Sequence, residues 1–291
     1  MERRRLGANG PEISVLGIGT APIGSSSDWI FWGAQDEADA IAAIHAGIDA
    51  GANWIDTAPF YGWGRAETIV ARAVAGRRDE VLLFTKCGTL PASDALSRED
   101  NRPEAIRADL EASLKRLGVD HVDLLQIHDI DAATPIEDSW GEIQRLIEEG
   151  KARWGGLSNH TVELVARAHA LAPVTTCQEQ LSLLAGPDDP QVLGFVREHG
   201  IGLLCWAPLA SGFLTDDFAV DALEPDDFRR RSRLAGRSDE IDAYRAEARS
   251  LGRTLRRHAV AWVLEQPGVT AAIVGVRSAH EGMELGTLAG E

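Results

Sequence analysis

The sequence predicts an α/β fold, a (β/α)8 TIM barrel, and three observations favour this fold. Short apolar runs alternate with longer amphipathic segments along nearly all of the 291 residues. Most of the apolar runs are continuous rather than alternating, which is typical of parallel strands covered on both faces. Eight such strand–helix units indicate a closed barrel, and barrels of this length form one domain. We therefore expect a single domain over residues 1–291.

The first half of the chain contributes four strands and four helices. The predicted strands are Val15–Gly19, Asn53–Asp56, Val81–Lys86 and Val122–His128. The helices that follow them are Gln35–Ala50, Ala66–Val74, Arg102–Leu117 and Pro135–Glu149. Gly51 ends the first helix. Asn101 is the candidate N-cap of the third helix, because Pro103 falls in its first turn.

The second half continues the pattern with strands Lys151–Ser158, Val174–Gln178, Ile201–Trp206 and Val269–Val274. Its helices are Thr161–Ala172, Pro190–Glu198, Asp239–Gly252, Arg256–Glu265 and Ser278–Leu285. An insert over Leu209–Ser238 follows strand seven, and residues 2–13 predict a β-hairpin that closes the barrel floor. An open doubly wound sheet is the rival fold. No strand is followed by GxGxxG, however, since Gly17-Ile18-Gly19 continues with the wrong spacing.

Composition restricts the partners and the compartment. The formal net charge is −16, which disfavours nucleic acid and anionic membranes as partners. No apolar run is long enough to cross a bilayer, and the first residues lack the apolar core of a secretory signal. The three cysteines form no CxxC pair, which indicates free thiols in a reducing compartment. We expect a cytoplasmic protein whose partner is a small molecule.

Four polar residues lie at the carboxyl ends of three successive predicted strands. Asp56 ends strand two and Tyr61 lies in the loop after it. Lys86 ends strand three, and His128 ends strand four. Working residues of such barrels lie at this face, and consecutive strands are neighbours, so the four side chains can converge.

These residue types suit proton transfer to a carbonyl oxygen. A phenol has a pKa of about 10, and a nearby ammonium lowers it. We expect Lys86 to lower the pKa of Tyr61, and Asp56 to keep Lys86 charged. His128 can orient a carbonyl by a hydrogen bond. Because no side chain can donate a hydride, a nicotinamide cofactor must supply it.

A metal-dependent hydrolase is the alternative chemistry for a barrel. The eight histidines contain no HxH pair and no HExxH motif, so the sequence predicts no metal site.

Several segments, in this order, resemble signatures of the aldo-keto reductase superfamily. They are Arg5-Leu6-Gly7, Leu16–Thr20, Gly51–Ala58 with Tyr61-Gly62, Thr85-Lys86, Leu124–His128, Gly156–Asn159 and Val274–Ser278. Two further segments, Trp32–Asp36 and Asp226–Arg230, resemble the bacterial general-stress and sugar-related branch.

The resemblance implies an extended NADP(H) bound without a Rossmann fold. It implies that Ser158, Asn159 and Gln178 hold the nicotinamide carboxamide. It also implies a pyrophosphate lined by Trp206, Pro208, Leu209 and Ser211. The adenosine end falls to Gly275 and Arg277, and Thr20 and Asp56 complete the implied cofactor-binding set. A guanidinium at Arg277 suits a 2′-phosphate, which favours NADP over NAD.

Three positions depart from the family pattern. Leu181 stands where the family usually has an aromatic residue that stacks on the nicotinamide. Glu281 and Leu285 stand where adenine-contacting Gln and Asn are usual. On the substrate side, we expect Trp32 and Trp63 to line the pocket, and consider Trp29 for the same role.

The leading hypothesis is NADPH-dependent reduction of an aldehyde or ketone, such as a sugar-derived or specialised-metabolite carbonyl. The reverse reaction, oxidation of a sugar hydroxyl, would use the same residues. A slow-turnover regulatory protein that keeps the barrel and the cofactor is the alternative from another class. The sequence leaves the oligomeric state open.

Overall fold

The computed structural model describes residues 1–25, 32–92, 97–223 and 227–289. Within them, eight parallel strands close into a barrel, with each strand beside the next along the chain and the last beside the first. We number the barrel strands β1 (Leu16–Gly19), β2 (Trp54–Asp56), β3 (Leu82–Cys87), β4 (Val122–Ile127), β5 (Ala152–Ser158), β6 (Thr176–Gln180), β7 (Gly202–Trp206) and β8 (Val269–Gly275). The predicted fold is confirmed. Trp29 and Asp226 lie outside the described residues.

Helices cover the outside of the barrel. They are α1 (Glu37–Asp49), α2 (Arg65–Ala73), α3 (Pro103–Leu117), α4 (Ile136–Glu148), α5 (Val162–Leu171), α6 (Gln191–Glu198), α7 (Ser238–Ser250), α8 (Leu255–Glu265) and α9 (Ala279–Leu288). The insert after β7 contains short 3-10 turns followed by α7, so α8 is the helix that leads into β8. None of the described helices is both long and apolar enough to span a membrane.

The start of α3 corrects the predicted cap. Arg102, not Asn101, occupies the N-cap position, and no side chain caps the helix there. Pro103 begins the helix and has no backbone N–H, so one fewer donor needs a partner. The Asn101 amide instead donates to the Asp129 carbonyl at 2.8 Å, which ties the loop after β3 to the loop after β4.

The barrel floor is closed by the predicted N-terminal hairpin. Its strands are Arg3–Arg5 and Glu12–Ser14. The Leu6 and Ile13 side chains are fully buried against inward-facing residues of the barrel, namely Trp54, Phe84, Leu124, Leu204, Ala271 and Ile273. The Arg4 guanidinium donates to the Leu264 and Val269 carbonyls at 3.2 and 3.1 Å. The hairpin is thereby fastened to residues near the other end of the chain.

Gly17 of β1 serves packing of the barrel interior. A Cβ at Gly17 would lie 2.3 Å from the Trp54 ring, so only glycine leaves room for that indole. The Trp54 indole N–H donates to the Ser14 carbonyl at 2.8 Å. The glycine therefore lets a large aromatic fill the lower barrel.

Two features of the strands differ from the sequence prediction. Residue pairs in Thr89–Pro91 and Ser97–Glu99 form a short antiparallel ladder beyond β3 that was not predicted. Strand β6 runs two residues further than expected, through Glu179 and Gln180. Those two polar residues resemble a loop in sequence, yet Glu179 is buried.

Truncating Leu6 tests the role of the hairpin as a structural plug. We expect Leu6→Ala to lower the free energy of unfolding by about 2–5 kcal/mol, because it opens a cavity among fully buried side chains. The control is Leu171→Ala, since that side chain is 58% exposed, and its expected cost is below about 0.5 kcal/mol. Urea unfolding followed by tryptophan fluorescence measures both, and equal costs would contradict the assignment.

Candidate active site

A buried ion pair joins the ends of β2 and β3. The Lys86 ammonium donates to Asp56 Oδ1 at 2.5 Å and to the Thr57 carbonyl at 3.1 Å. It also donates to the Tyr61 hydroxyl at 3.2 Å. Lys86 is fully buried and Asp56 is 2% exposed. The structure thus brings together three of the four residues that the sequence singled out.

Protonation follows from competition between burial and charge. Burial lowers the pKa of Lys86, but the neighbouring Asp56 and then Tyr61 raise it, and the net pKa lies above the ordinary value. Burial raises the pKa of Tyr61 more than the Lys86 charge lowers it, and Asp56 raises it further. Lys86 thus lowers the pKa of Tyr61 as expected, but burial, which the sequence did not reveal, outweighs this effect. At neutral pH Lys86 is charged and Tyr61 carries its proton.

His128 stands against the same phenol. Its ring lies edge-on to Tyr61, with centroids 5.9 Å apart and an interplanar angle of 86°. Burial, and then the Lys86 charge, lower the pKa of His128 well below its ordinary value, so the ring is neutral. Its Nδ1 has no hydrogen-bond partner within the described residues. A neutral imidazole still has one N–H to donate.

Two glutamines support the second oxygen of Asp56. Gln178 Nε2 donates to Asp56 Oδ2 at 2.9 Å, and Gln126 Nε2 lies 3.5 Å from the same oxygen. Sequence reasoning missed Gln126. Strand periodicity was the available signal, because Gln126 is two residues before His128 and so points to the same side of the sheet.

These residues open onto a cavity of about 580 Å³ at the carboxyl ends of the strands. Most predicted site residues line it: Thr20, Trp32, Asp56, Tyr61, His128, Ser158, Asn159, Gln178, Trp206, Pro208, Leu209, Ser211, Gly275 and Arg277. Lys86 lies behind this surface.

Trp63 is the predicted pocket residue that the structure does not bring to the cavity wall. Its side chain is 38% exposed and packs edge-on against Phe60, with centroids 5.4 Å apart. Phe60 in turn contacts the His128 ring at 5.8 Å. Phe60, which the sequence analysis did not single out, thus lies between the Trp63 and His128 rings.

A polar patch lies beside Gln178. The Ser158 hydroxyl is buried and has no hydrogen-bond partner in the described part of the chain. Asn159 donates to the His128 carbonyl at 3.2 Å and accepts from the Trp206 indole at 3.0 Å. An unpaired buried hydroxyl that lines a cavity is the kind of group a polar ligand completes.

Arg277 lies at the cavity wall but holds a loop. Its guanidinium donates to the Trp32, Gly33 and Ala34 carbonyls and to Gln35 Oε1, at 2.5, 3.3, 2.9 and 2.8 Å. The Arg277 guanidinium was expected to donate its hydrogen bonds to a 2′-phosphate, but it donates them to the loop after β1. Trp32 also meets Phe228 of the insert edge-on at 5.3 Å.

The departures from the family pattern take structural roles. Leu181 is 5% exposed and packs in the core, apart from the cavity lining. Trp206, on the adjacent strand, is an aromatic residue that does line the cavity. The Glu281 carboxylate accepts from the Arg277 backbone N–H at 2.6 Å, and Leu285 is fully buried.

Backbone strain is concentrated at this face of the barrel. The described non-glycine residues with positive φ are Trp63, Asn159, Ala207, Ala210 and Ser211. All five follow the carboxyl ends of β2, β5 or β7. Such conformations persist where the surrounding structure imposes them, and they cluster at functional sites.

Glu179 is a buried carboxyl that points away from Gln178. Burial raises its pKa to about 8, a backbone hydrogen bond from His160 works against this, and the charges of Asp188 and Asp129 add to it. Its Oε1 lacks a hydrogen-bond partner among the described residues. Glu179 is therefore protonated at neutral pH.

Other reactive groups offer little chemistry. Cys87, Cys177 and Cys205 are free and buried, and burial raises the pKa of each thiol. Buried thiols of this kind are poor nucleophiles. A search of the described residues finds no group of His, Cys, Asp or Glu that could hold a metal ion.

Comparison with known proteins gives a consistent result. The model of the aldo/keto reductase family matches residues 15–284. The aldo-keto reductase YhdN of Bacillus subtilis is 34% identical over 289 residues, which is 95% of this chain and 85% of the relative. The structure of the glycerol dehydrogenase AKR11B4 from Gluconobacter oxydans superposes with a TM-score of 0.83 at 32% identity, over 99% of this chain and 89% of that one. The holo form of the aldo-keto reductase AKR11C1 from Bacillus halodurans shares the fold, with a TM-score of 0.82 at 22% identity over 100% and 91% of the two chains.

The raised pKa of Glu179 predicts how stability depends on pH. The unfolded chain releases this proton near pH 4.5, whereas the folded protein keeps it up to about pH 8, so stability falls as pH rises between these values. We expect Glu179→Gln to match wild type near pH 4.5 and to be more stable by a few kcal/mol near pH 8. Urea unfolding across this range is the measurement. Glu163→Gln, at a side chain 79% exposed, is the control and should show no such trend. Parallel curves for wild type and Glu179→Gln would refute the prediction.

Proposed function

Because this chain belongs to the aldo/keto reductase family of oxidoreductases acting on carbonyl groups, we propose that it reduces an aldehyde or ketone with NADPH. The observation that carries the proposal is the Tyr61 hydroxyl, which lines the cavity 3.2 Å from the buried Lys86 ammonium. In this proposal Tyr61 is the general acid.

Proton transfer follows from the protonation states. Tyr61 keeps its proton at neutral pH because burial raises its pKa. It releases the proton to the carbonyl oxygen as negative charge develops there, since an alkoxide is far more basic than a phenolate. The Lys86 ammonium then stabilises the phenolate, and Asp56 keeps that ammonium charged.

His128 orients the substrate. As a neutral ring beside Tyr61, it donates one hydrogen bond to the same carbonyl oxygen without competing for the proton. A charged imidazolium so close to Lys86 would be disfavoured, which is why the neutral form serves here.

The cavity residues fit a nicotinamide cofactor, the group that this family generally binds. When bound, the reduced nicotinamide supplies the hydride. Ser158, Asn159 and Gln178 would hold its carboxamide, and the unpaired Ser158 hydroxyl supports this assignment. The loop that contains Pro208, Leu209 and Ser211 would hold the pyrophosphate. Trp206, rather than Leu181, would offer the aromatic face. Thr20 and Gly275 would complete the contacts.

Preference for NADP over NAD rests on guanidinium groups that line the cavity, namely Arg229, Arg256 and Arg277, because guanidinium is well suited to phosphate. Arg229 pairs with Asp227 and Arg256 with Glu284, so a 2′-phosphate would compete with these carboxylates. The Arg277 hydrogen bonds go to the loop over residues 32–35, so its charge rather than direct contact would act on a 2′-phosphate.

The alternative function is a regulatory protein that binds NADP(H) but turns over slowly. Leu181 and Glu281, which depart from the family pattern, are the residues that favour it. Leu181 packs in the core away from the cavity lining, so it does not argue against turnover. Glu281 lines the cavity but accepts the Arg277 backbone N–H. Because Asp56, Tyr61 and Lys86 are in contact, the enzyme is the better-supported proposal.

Replacing the proposed proton donor gives the first test. We expect Tyr61→Phe to lower kcat by about 10²–10⁴-fold, because no other group supplies the proton, and to leave the NADPH dissociation constant near the wild-type value. NADPH absorbance with a panel of aldehydes and ketones measures turnover, and fluorescence titration with NADPH and NADH measures binding. Tyr244→Phe is the matched control, since Tyr244 is the other tyrosine and its hydroxyl bonds the Leu183 carbonyl at 3.2 Å. Retained turnover in Tyr61→Phe would reject the assignment.

The substrate end of the cavity favours neutral, hydroxyl-rich carbonyls. Three polar residues line the cavity together with His128: Gln180 at the end of β6, and Asp129 and Asp188 on loops. Neither carboxylate has a salt-bridge partner within the described residues. Burial raises the pKa of Asp129, and the charge of Asp188 adds to this. These groups would accept hydrogen bonds from hydroxyls and repel an anion. The name of the relative from Gluconobacter oxydans, a glycerol dehydrogenase, agrees with a polyol or its carbonyl product. Oxidation in the reverse direction would use the same residues.

A pair of substrates that differ in charge tests this preference. We expect 4-carboxybenzaldehyde to show a kcat/KM about tenfold below that of its neutral methyl ester, because its carboxylate meets Asp129 and Asp188. The double substitution Asp129→Asn, Asp188→Asn should reduce the ratio of kcat/KM for the ester to kcat/KM for the acid. High salt should reduce the same ratio, because it screens the charges. Glu2→Gln changes the net charge by one beside the hairpin that closes the barrel floor, where Glu2 pairs with Arg4, and serves as the control. A ratio that the double substitution leaves unchanged would count against a role for these carboxylates.

A further inference from the structure

Gln126 lies beneath the cavity at the centre of a hydrogen-bond chain. It is fully buried on β4. Its Oε1 accepts from Thr176 Oγ1 at 3.4 Å and from Gln178 Nε2 at 3.2 Å. Its Nε2 faces Asp56 Oδ2 at 3.5 Å. Gln126 thus contacts both Asp56, which pairs with Lys86, and Gln178, which lines the cavity.

These contacts leave Gln178 only one favourable orientation. Its Nε2 lies between two acceptors, Asp56 Oδ2 at 2.9 Å and Gln126 Oε1 at 3.2 Å. Turning the amide over would set its Oε1 against both acceptors in a buried place, which is strongly unfavourable. Gln178 Oε1 must therefore face away from them. Gln178 lines the cavity, and among the described residues no donor reaches this oxygen.

The orientation of Gln126 is itself fixed. Turned over, its amide nitrogen would meet the Gln178 nitrogen, and its oxygen would meet the Asp56 carboxylate. The Thr176 hydroxyl donates to Gln126 Oε1 and reinforces the observed arrangement. Thr176 and Gln178 thus both donate to Gln126 Oε1, and these two donors hold the Gln126 amide in one orientation.

We propose that Gln126 is a positioning residue that orients the Gln178 amide, so that Gln178 Oε1 presents a hydrogen-bond acceptor to the carboxamide NH₂ of the nicotinamide. The inference rests on the proposed function. Asp56 engages one hydrogen of the Gln178 amide, and Gln126 engages the other. Both hydrogens must have acceptors for the amide oxygen to be held toward the cavity, and Gln126 supplies the second among the described residues.

A cofactor analogue isolates this hydrogen bond. The 3-acetylpyridine analogue of NADP⁺ carries a methyl ketone in place of the carboxamide and so has no N–H to donate. Calorimetric titration with NADP⁺ and with the analogue gives a ratio of dissociation constants that does not depend on turnover. For wild type we expect NADP⁺ to bind about fivefold tighter, the effect of one hydrogen bond.

Three variants separate orientation from general damage. In Gln126→Leu the second acceptor is lost, and the ratio should fall toward one. Gln126→Glu keeps an acceptor for Gln178 and Thr176, so the ratio should stay near wild type, whereas kcat falls because a second carboxylate lies beside Asp56. Thr85→Val removes a buried hydroxyl that donates to Glu67 at 2.7 Å, outside this chain of hydrogen bonds, and should cost stability without changing the ratio.

The outcomes are distinguishable. If wild type binds NADP⁺ and the analogue equally, or if Gln126→Leu keeps the full ratio, the inference is overturned while the proposed function stands. Equal loss of the ratio in Gln126→Leu and Gln126→Glu also overturns it. If wild type binds no nicotinamide nucleotide, the proposed function fails, and the inference fails with it. Loss in Gln126→Leu together with retention in Gln126→Glu supports it.

Discussion

The site depends on one buried ion pair, Lys86 with Asp56. Two charges taken out of water are stable only when each is paired and hydrogen-bonded, and removing one partner of such a pair typically costs about 3–5 kcal/mol. The surroundings meet this requirement. The Thr57 carbonyl accepts from Lys86, and Gln178 and Gln126 approach the second oxygen of Asp56. Tyr61 and His128 then take their protonation states from this charge and from their own burial. The proposed proton transfer thus depends on a lysine ammonium that the barrel keeps out of water.

The two ends of the barrel have different physical characters. At the floor, Leu6 and Ile13 close an apolar interior in which Gly17 makes room for Trp54. At the opposite end lie the cavity, the unpaired Ser158 hydroxyl and the strained non-glycine residues. Packing at the floor supplies stability, and it lets the rim keep polar and strained groups that packing alone would not select.

The sequence predicted whatever local patterns determine. Apolar periodicity gave eight strands with boundaries within one or two residues, and strand-end placement brought Asp56, Tyr61 and Lys86 together. It failed where tertiary contacts decide. Burial of the phenol, which no pattern reports, outweighs the Lys86 charge in setting the Tyr61 pKa. The sequence predicted that Arg277 binds a phosphate. Its guanidinium instead donates hydrogen bonds to loop carbonyls more than 240 residues away in sequence. The sequence analysis overlooked two polar residues inside strands, Gln126 and Glu179. A sequence does not report whether an amide is buried or whether a carboxyl keeps its proton.

The N-terminal hairpin also bears on how the protein is made. The carbonyls that fasten the hairpin are synthesised long after it, because Arg4 binds carbonyls 260 and 265 positions later in the chain. Strand β1 likewise pairs with β8. Until the final strand emerges, Leu6 and Ile13 have no complete interior to enter, and both edges of the growing sheet stay open. Contacts of such long sequence separation make folding slow, and they leave apolar segments exposed during synthesis. The barrel therefore cannot close before β8 has been made, and chaperone protection of the exposed apolar segments matters most until then.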